Sequence, residues 1–506
     1  MFADVLSASI LGLEVVPVKV EADVSTGLPS FTMVGLPSRQ VKEAQDRVRT
    51  AFKNNRISLP PRRITVNFSP ADIKKEGAGF DLPIAAAVLA AAGMLPQGTL
   101  DRVMMTGELS LNGEIRGTGG VLSIVMLAEE LGCRLCIIPY ENLREGRLVS
   151  NVPVAGVKNL EEMRDCLKNP APYLSALPET EEVEKNILMP DFAEIEGQES
   201  ARRAAEIAVS GFHNILLTGP PGTGKTMLAR RLPTIMPKLT FEEAMELTKI
   251  YSIAGLLEKE KPLIQCRPFR SPHHTSTAEA MTGGGRNPRP GEITLAHRGV
   301  LFLDELPEFS RRSLETLRQP LEDKKVQISR VSGTYLFPAN FMLAAAMNPC
   351  PCGYFPDMNR CTCTAGEVSR YLSKLSRPLL DRIDLCAEAP SVTYEQLTGR
   401  GTGESSACIR QRVEKVQKIQ IQRYKEDGIC FNGELSAKLI ERYCVLTDDA
   451  SRLLGRAFEK LQFSARAYHR ILKVSRTIAD MDQEEQINST HVGEALSFRA
   501  FDKYRE

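Results

Sequence analysis

The sequence predicts an α/β protein, with a core on a parallel sheet, a helical lid after it and an α+β domain before it. Three observations carry this reading. Asn214–Thr218, Val300–Leu303 and Phe341–Met347 are short apolar runs separated by helix-forming stretches, the alternation of a parallel sheet. Residues 408–506 read as consecutive amphipathic helices. Residues 1–168 mix strand-like and helical segments and follow neither pattern.

The 506 residues hold about three domains, at roughly 150 residues each. Eight acids against Lys185 in residues 178–199, with Pro170, Pro172, Pro178 and Pro190, mark a first break. Pro390, Gly399, Gly401 and Gly403 mark a second. The expected organisation is therefore an α+β domain at 1–170, a linker at 171–190, the core at 191–390 and the lid at 391–506.

In the first domain, Leu13–Val20 and Arg63–Asn67 are rich in β-branched residues and read as strands. Gln40–Asn54, Asp81–Ala92 and Leu122–Leu131 read as helices, the second with one apolar face. In the core, Val326–Arg330 and Thr334–Pro338 flank Ser332-Gly333 as a hairpin.

Apolar residues at 42% and charged residues at 25% exclude a disordered or collagen-like chain. No apolar run reaches the length of a membrane span, since Pro83 and Gly93 break the longest, Leu82–Leu95. Asp4 and the lack of a basic opening stretch argue against a signal peptide. Twelve cysteines are too few for a disulfide scaffold, so a reducing cytoplasm is the expected location. Lys and Arg (64) balance Asp and Glu (63), so bulk charge offers no argument for a nucleic-acid partner.

Gly219-Pro220-Pro221-Gly222-Thr223-Gly224-Lys225-Thr226 lies between the Asn214–Thr218 strand and a helix-forming stretch, Met227–Leu232. Strand, glycine loop, helix is the arrangement that wraps backbone amides round a phosphate. A helix N-terminus adds its dipole. Lys225 supplies a point charge for the β- and γ-phosphates, and the Thr226 hydroxyl can ligate Mg²⁺. ATP with Mg²⁺ is the implied cofactor. Asp304 and Glu305 end the Val300 strand, placing one acid for the Mg²⁺ shell and one to polarise the attacking water. Asn348, at the end of Phe341–Met347, can position that water or sense the γ-phosphate.

Cys350-x-Cys352 and Cys361-x-Cys363 put four thiols in one short loop, a set that suits a tetrahedral structural Zn²⁺. Free thiols and disulfides are the alternatives.

GPPGTGKT (219–226), GEITLAHRGVLFLDEL (291–306), AAAMNPCPCG (344–353) and RPLLDRIDL (377–385) resemble the magnesium-chelatase-like branch of the AAA+ ATPases. With the first domain included, the chain is similar to the ComM/YifB family over nearly its whole length. The resemblance implies that Arg382 is an arginine finger reaching a neighbouring subunit's nucleotide, and that Arg466 senses the γ-phosphate from the lid, with Arg470 as the backup choice. Arg382 can instead pair with Asp381 or Asp384, and Arg466 can be merely solvated. A finger acting in trans implies a ring, and the family implies a hexamer. It also implies a motor on single-stranded or branched DNA, working as a helicase or in branch migration during recombination in natural transformation. Chelatase-type remodelling without DNA is the alternative.

Residues 74–90 and 105–120 resemble the proteolytic domain of Lon, which uses a Ser–Lys dyad. Alignment on the glycines puts Asp81 at the nucleophile position and Leu122 at the lysine position, and no Ser lies between Pro70 and Leu109. The domain is expected not to be a protease. Two basic tracts remain as candidates for DNA contact. Residues 267–298 carry Arg267, Arg270, Arg286, Arg289 and Arg298, and are expected to form a flexible loop, with Phe269 available to stack on a base. Residues 452–476 carry Arg452, Arg456, Lys460, Arg466, Arg470, Lys473 and Arg476. The hairpin brings Lys324, Lys325 and Arg330.

Overall fold

The structure, a computed structural model, describes residues 1–149, 151–174, 190–285, 287–330, 333–391 and 403–499. Most of the expected 171–190 linker, much of the second break, Arg286 and Ser332 lie outside the described residues.

A seven-stranded mixed sheet organises the first domain. Its strands are β1 (Phe2–Leu11), β2 (Glu14–Ser25), β3 (Ser30–Val34), β4 (Arg63–Ser69), β5 (Val103–Met105), β6 (Leu135–Pro139) and β7 (Val154–Val157), in the order β3-β4-β2-β1-β5-β6-β7. β1, β2 and β4 pair antiparallel, and β1, β5, β6 and β7 run parallel. Its longer helices are α1 (Ala44–Asn54), α2 (Asp81–Ala91), α3 (Val121–Glu130) and α4 (Leu160–Lys168); the last three pack on the sheet, and α1 packs on α2. α2 was expected to show one apolar face. Instead nearly every residue of it is buried, because α1 and the sheet enclose it from opposite sides. Its run of alanines permits that close approach.

The core carries five parallel strands: β8 (Ile215–Thr218), β9 (Phe269–Arg270), β10 (Val300–Leu303), β13 (Met342–Met347) and β14 (Leu385–Glu388), ordered β9-β10-β13-β8-β14. All but β9 are buried nearly throughout, so they read as continuous apolar runs. Between β10 and β13 a separate hairpin, β11 (Lys325–Arg330) and β12 (Gly333–Pro338), forms as expected. α5 (Glu199–Gly211) precedes β8, α6 (Lys225–Ile235) follows it, and α7 (Phe241–Ala254) leads toward β9. α8 (Ala365–Leu372) precedes β14.

The lid is α9 (Ser406–Arg423), α10 (Ala437–Tyr443), α11 (Asp448–Lys460), α12 (Ala465–Met481) and α13 (Ser489–Ser497). It shares one hydrophobic core with α5 and β8.

The first domain docks on the core through α7. The Gly120 N–H donates to the Ser252 carbonyl at 3.1 Å, and the buried Glu145 carboxylate accepts the Ser252 hydroxyl and the Leu122 N–H. No described helix is long and apolar enough to cross a membrane.

Candidate nucleotide site

Parallel pairing aligns the strand ends that carry the candidate residues. Thr218 on β8 sits opposite Met347 on β13, and Leu303 on β10 opposite Ala345. The phosphate loop, Asp304–Glu305 and Asn348 therefore emerge together at the carboxyl edge of the sheet, where open α/β sheets bind ligands. They line a cavity of about 580 Å³ with Glu308, Pro351, Glu367, Arg370, Tyr371 and Lys374.

Gly222 (φ +77°) and Gly224 (φ +81°) take left-handed conformations that a side chain would strain, and Gly224 caps α6. The Lys225 ammonium folds back over the loop. It donates to the carbonyls of Gly219 (2.8 Å) and Pro220 (2.7 Å) and to Asn348 Oδ1 (3.2 Å). Burial pushes its pKa down, a cost that phosphate oxygens would offset. The Thr226 hydroxyl donates to Asp304 Oδ2 at 2.7 Å, so both proposed Mg²⁺ ligands already point at one spot. Asp304 Oδ1 accepts the Glu305 N–H at 3.0 Å.

Glu305 stands in the left-handed region (φ +53°, ψ +49°), a strained state for a glutamate of the kind that collects at working sites. Its carboxylate is largely exposed and lies 3.4 Å from His274 Nδ1. His274 in turn meets the edge of Phe309. Two further contacts are invisible in the sequence. Lys374 pairs with Glu308 at 3.0 Å on the cavity wall, which Arg370 also lines, and Gln198 donates to the Thr223 carbonyl. None of these residues belongs to a short motif. The signal for His274 was only its place in a histidine-rich stretch before β10.

Arg382 lies elsewhere. It pairs with Glu322, rather than with Asp381 or Asp384, and donates to the Pro378 carbonyl. It lines a second cavity, of about 590 Å³, with Lys324, Asp381, Arg466, Arg470 and Lys473. No residue lines both cavities. Arg466, expected to sense the γ-phosphate from the lid, is mostly exposed and lies 3.7 Å from Asp381. Arg470 is buried on the carbonyls of Leu380 and Ile383, both at 2.8 Å.

The basic tracts also need correction. Residues 267–298 are not a flexible loop among the described residues. They hold β9, a short helix Ala278–Thr282 and a two-stranded ribbon pairing Gly283–Gly284 with Arg289–Pro290. Arg267 pairs with Glu243, Arg270 with Glu292 through two 2.7 Å bonds, and Arg298 with Glu246. Phe269 stacks on Phe302, 5.7 Å between centroids, and packs on the core. In the lid, Arg476 is buried against Asp480, and Lys473 donates to the Gly433 carbonyl. Arg289, Arg456 and Lys460 remain exposed, as do Lys325 and Arg330 on the hairpin.

In the first domain, Asp81 is fully buried. Arg47 holds it through two bonds of 2.7 and 2.8 Å, and the Leu109 N–H donates a third at 3.1 Å. The hydrogen bonds to the Asp81 carboxylate keep the Arg47 pKa above its usual value. Leu122 is buried in the apolar layer between α3 and the sheet.

Residues 191–397 match the family described as magnesium chelatase, subunit ChlI, residues 20–142 match subunit ChlI of Mg-chelatase, and residues 403–499 its C-terminal part. Competence protein ComM of Haemophilus influenzae is 44% identical over 98% of this chain and 97% of its own. The chain belongs to the ComM/YifB family. YifB of Salmonella typhimurium is another such relative, 43% identical over 97% of this chain and 96% of its own. A ComM/YifB chain is a magnesium-chelatase-like AAA+ ATPase, and the cavity at the sheet edge lies within the residues that match. Lon protease 2 of Bacillus subtilis is 29% identical over 29% of this chain and 27% of its own, so the family's first domain is only distantly like a protease.

Proposed function

We propose that this chain is the subunit of a hexameric ring that turns ATP hydrolysis into movement along single-stranded or branched DNA, as a helicase or branch-migration motor. The carrying observation is the separation of Arg382 from the phosphate loop, with no residue shared between their cavities. A site that needs both is complete only where two copies meet, and head-to-tail contacts of that kind close into rings.

In this reading Gly219–Thr226 cradle the phosphates, and Thr226 and Asp304 hold Mg²⁺. Glu305 takes the proton from the attacking water, which Asn348 orients. Arg382, joined by Arg466 from the same cavity, neutralises charge on the neighbour's γ-phosphate. Arg470 is a brace for the Arg382 segment. The four cysteines hold a structural zinc.

The name of one relative, competence protein, supports natural transformation as the setting; DNA as the substrate and the cytoplasm as the place belong to this proposal. The exposed Lys325 and Arg330 on the hairpin are the first candidates for the grip and the exposed Arg456, Lys460 and Arg466 of the lid the second, since Arg267, Arg270 and Arg298 of the 267–298 tract are spent on internal ion pairs. That spending favours the second reading, ATP-driven protein remodelling without DNA. Measuring ATP turnover with and without single-stranded and branched DNA, and unwinding of the branched form, separates them. Stimulation and unwinding are expected; turnover indifferent to DNA would leave the remodelling reading standing.

A further inference from the structure

The cysteine segment does more than sit near the site. Cys350 Sγ lies 3.3 Å from Cys352 Sγ and 3.8 Å from Cys361 Sγ, and Cys352 and Cys361 are 3.5 Å apart. All four sulfurs fall within 4.8 Å of one another. None of these is a disulfide, whose sulfurs stand about 2.05 Å apart. Four thiolates at about 2.3 Å from a tetrahedral zinc lie about 3.8 Å from each other, close to what is found. The Gly353 and Phe355 N–H groups both donate to Cys350 Sγ, at 3.2 and 3.4 Å, the backbone support that orients a metal thiolate. Hydrophobic packing does not account for the shape. Of residues 350–364 only Cys350 and Gly353 are buried, and Met358 is 78% exposed. A segment with so little core needs another staple.

The staple is placed between two walls of the nucleotide cavity. Cys350 follows Asn348 by two residues, and Pro351 lines the cavity itself. Gly353, at φ +88°, presses on the phosphate loop so closely that a Cβ there would stand 2.5 Å from Pro221 Cδ. At the other end, Thr364 follows Cys363 directly and caps α8 in a reciprocal bond with Glu367. α8 and the turn after it carry Arg370, Tyr371 and Lys374 into the cavity.

We propose that Cys350, Cys352, Cys361 and Cys363 form a zinc knuckle that clamps the phosphate loop through Gly353 and Pro221 and seats α8 as the opposite wall, so that nucleotide affinity depends on the metal. This rests on the reading of the cavity as an ATP site. The zinc content of the full chain, purified without chelators, and its affinity for a fluorescent ATP analogue test it together. One zinc per chain is expected. Cys361→Ser and Cys363→Ser, neither of which lines the cavity, should lose the metal and weaken nucleotide binding by roughly tenfold or more. Gly353→Ala should keep the zinc and still weaken binding, because its methyl group displaces Pro221. This variant serves as the test if the cysteine variants fail to fold. Lys225→Ala should lose nucleotide while keeping full zinc. A chain free of zinc, or zinc-free Cys361→Ser with unchanged affinity, overturns the knuckle. A zinc-loaded chain that binds no nucleotide overturns the ATP reading instead.

Discussion

Asp81, at the place that alignment on the glycines gives to the serine of a Lon-like protease, is engaged in an ion pair and offers no hydroxyl. The carboxylate is spent on Arg47 and on the Leu109 amide, and the position expected for a lysine holds Leu122, with no base to offer. Removing one partner of a buried pair leaves an uncompensated charge, at a cost of roughly 3–5 kcal/mol. Asp81→Ala is therefore expected to lower the melting temperature clearly, while Asp81→Ser should produce no peptidase activity on an unfolded substrate such as casein. Proteolysis by that serine variant would show that a base exists which the structure does not reveal. At the nucleotide site, Glu305→Gln should bind ATP and fail to turn it over; persistent hydrolysis would remove Glu305 from its role. His274 touches the same carboxylate from outside the phosphate loop. His274→Ala should lower kcat by between about tenfold and a hundredfold, with the KM for ATP nearly unchanged and the pH–rate profile altered. A raised KM with normal kcat would make it a binding residue.

Elements set these residues in place through contacts distant in sequence. α7 joins the two sheets, with Ser252 bonded to Gly120 and Glu145 of the first domain. Gly120 is needed there: it takes φ +78°, and a Cβ would stand 2.2 Å from Ile10 Cδ1. Glu145→Ala would strip buried polar groups of their partner, which costs about 1–3 kcal/mol. It should loosen the domains, seen as faster hydrogen exchange in α3 and α7 with the phosphate loop unaffected; uniform exchange changes across the chain would refute so local a role. The 267–298 stretch teaches a related lesson. Its glycines and arginines suggested a mobile basic loop, but Glu243, Glu246 and Glu292 neutralise most of it. Two of those glutamates lie on α7, outside the stretch, so counting charge within the window missed them.

For the whole molecule, the two cavities predict how subunits cooperate. Arg382→Ala and Lys225→Ala should each be inactive alone. Mixed, they should recover part of the wild-type turnover, since some interfaces would join an intact phosphate loop to an intact finger. Mixed assemblies that stay inactive would mean that Arg382 does not act across the interface.

Much was legible beforehand. The strand–loop–helix order round Gly219–Thr226, the acids ending β10, Asn348 after β13 and the β11–β12 hairpin all depend on residues close together in the chain, where local periodicity and turn chemistry decide the outcome. The clustering of four cysteines was equally a local fact. What neighbours in sequence do not determine is which distant groups meet. Only tertiary packing chose Glu322 as the partner of Arg382, set Arg466 away from its own phosphate loop, brought His274 to Glu305 and pressed Gly353 on Pro221. The near-equal totals of acids and bases were fixed by composition. Which charges remain free for a partner was decided by folding, because an arginine buried against a glutamate from another helix no longer has its charge to offer.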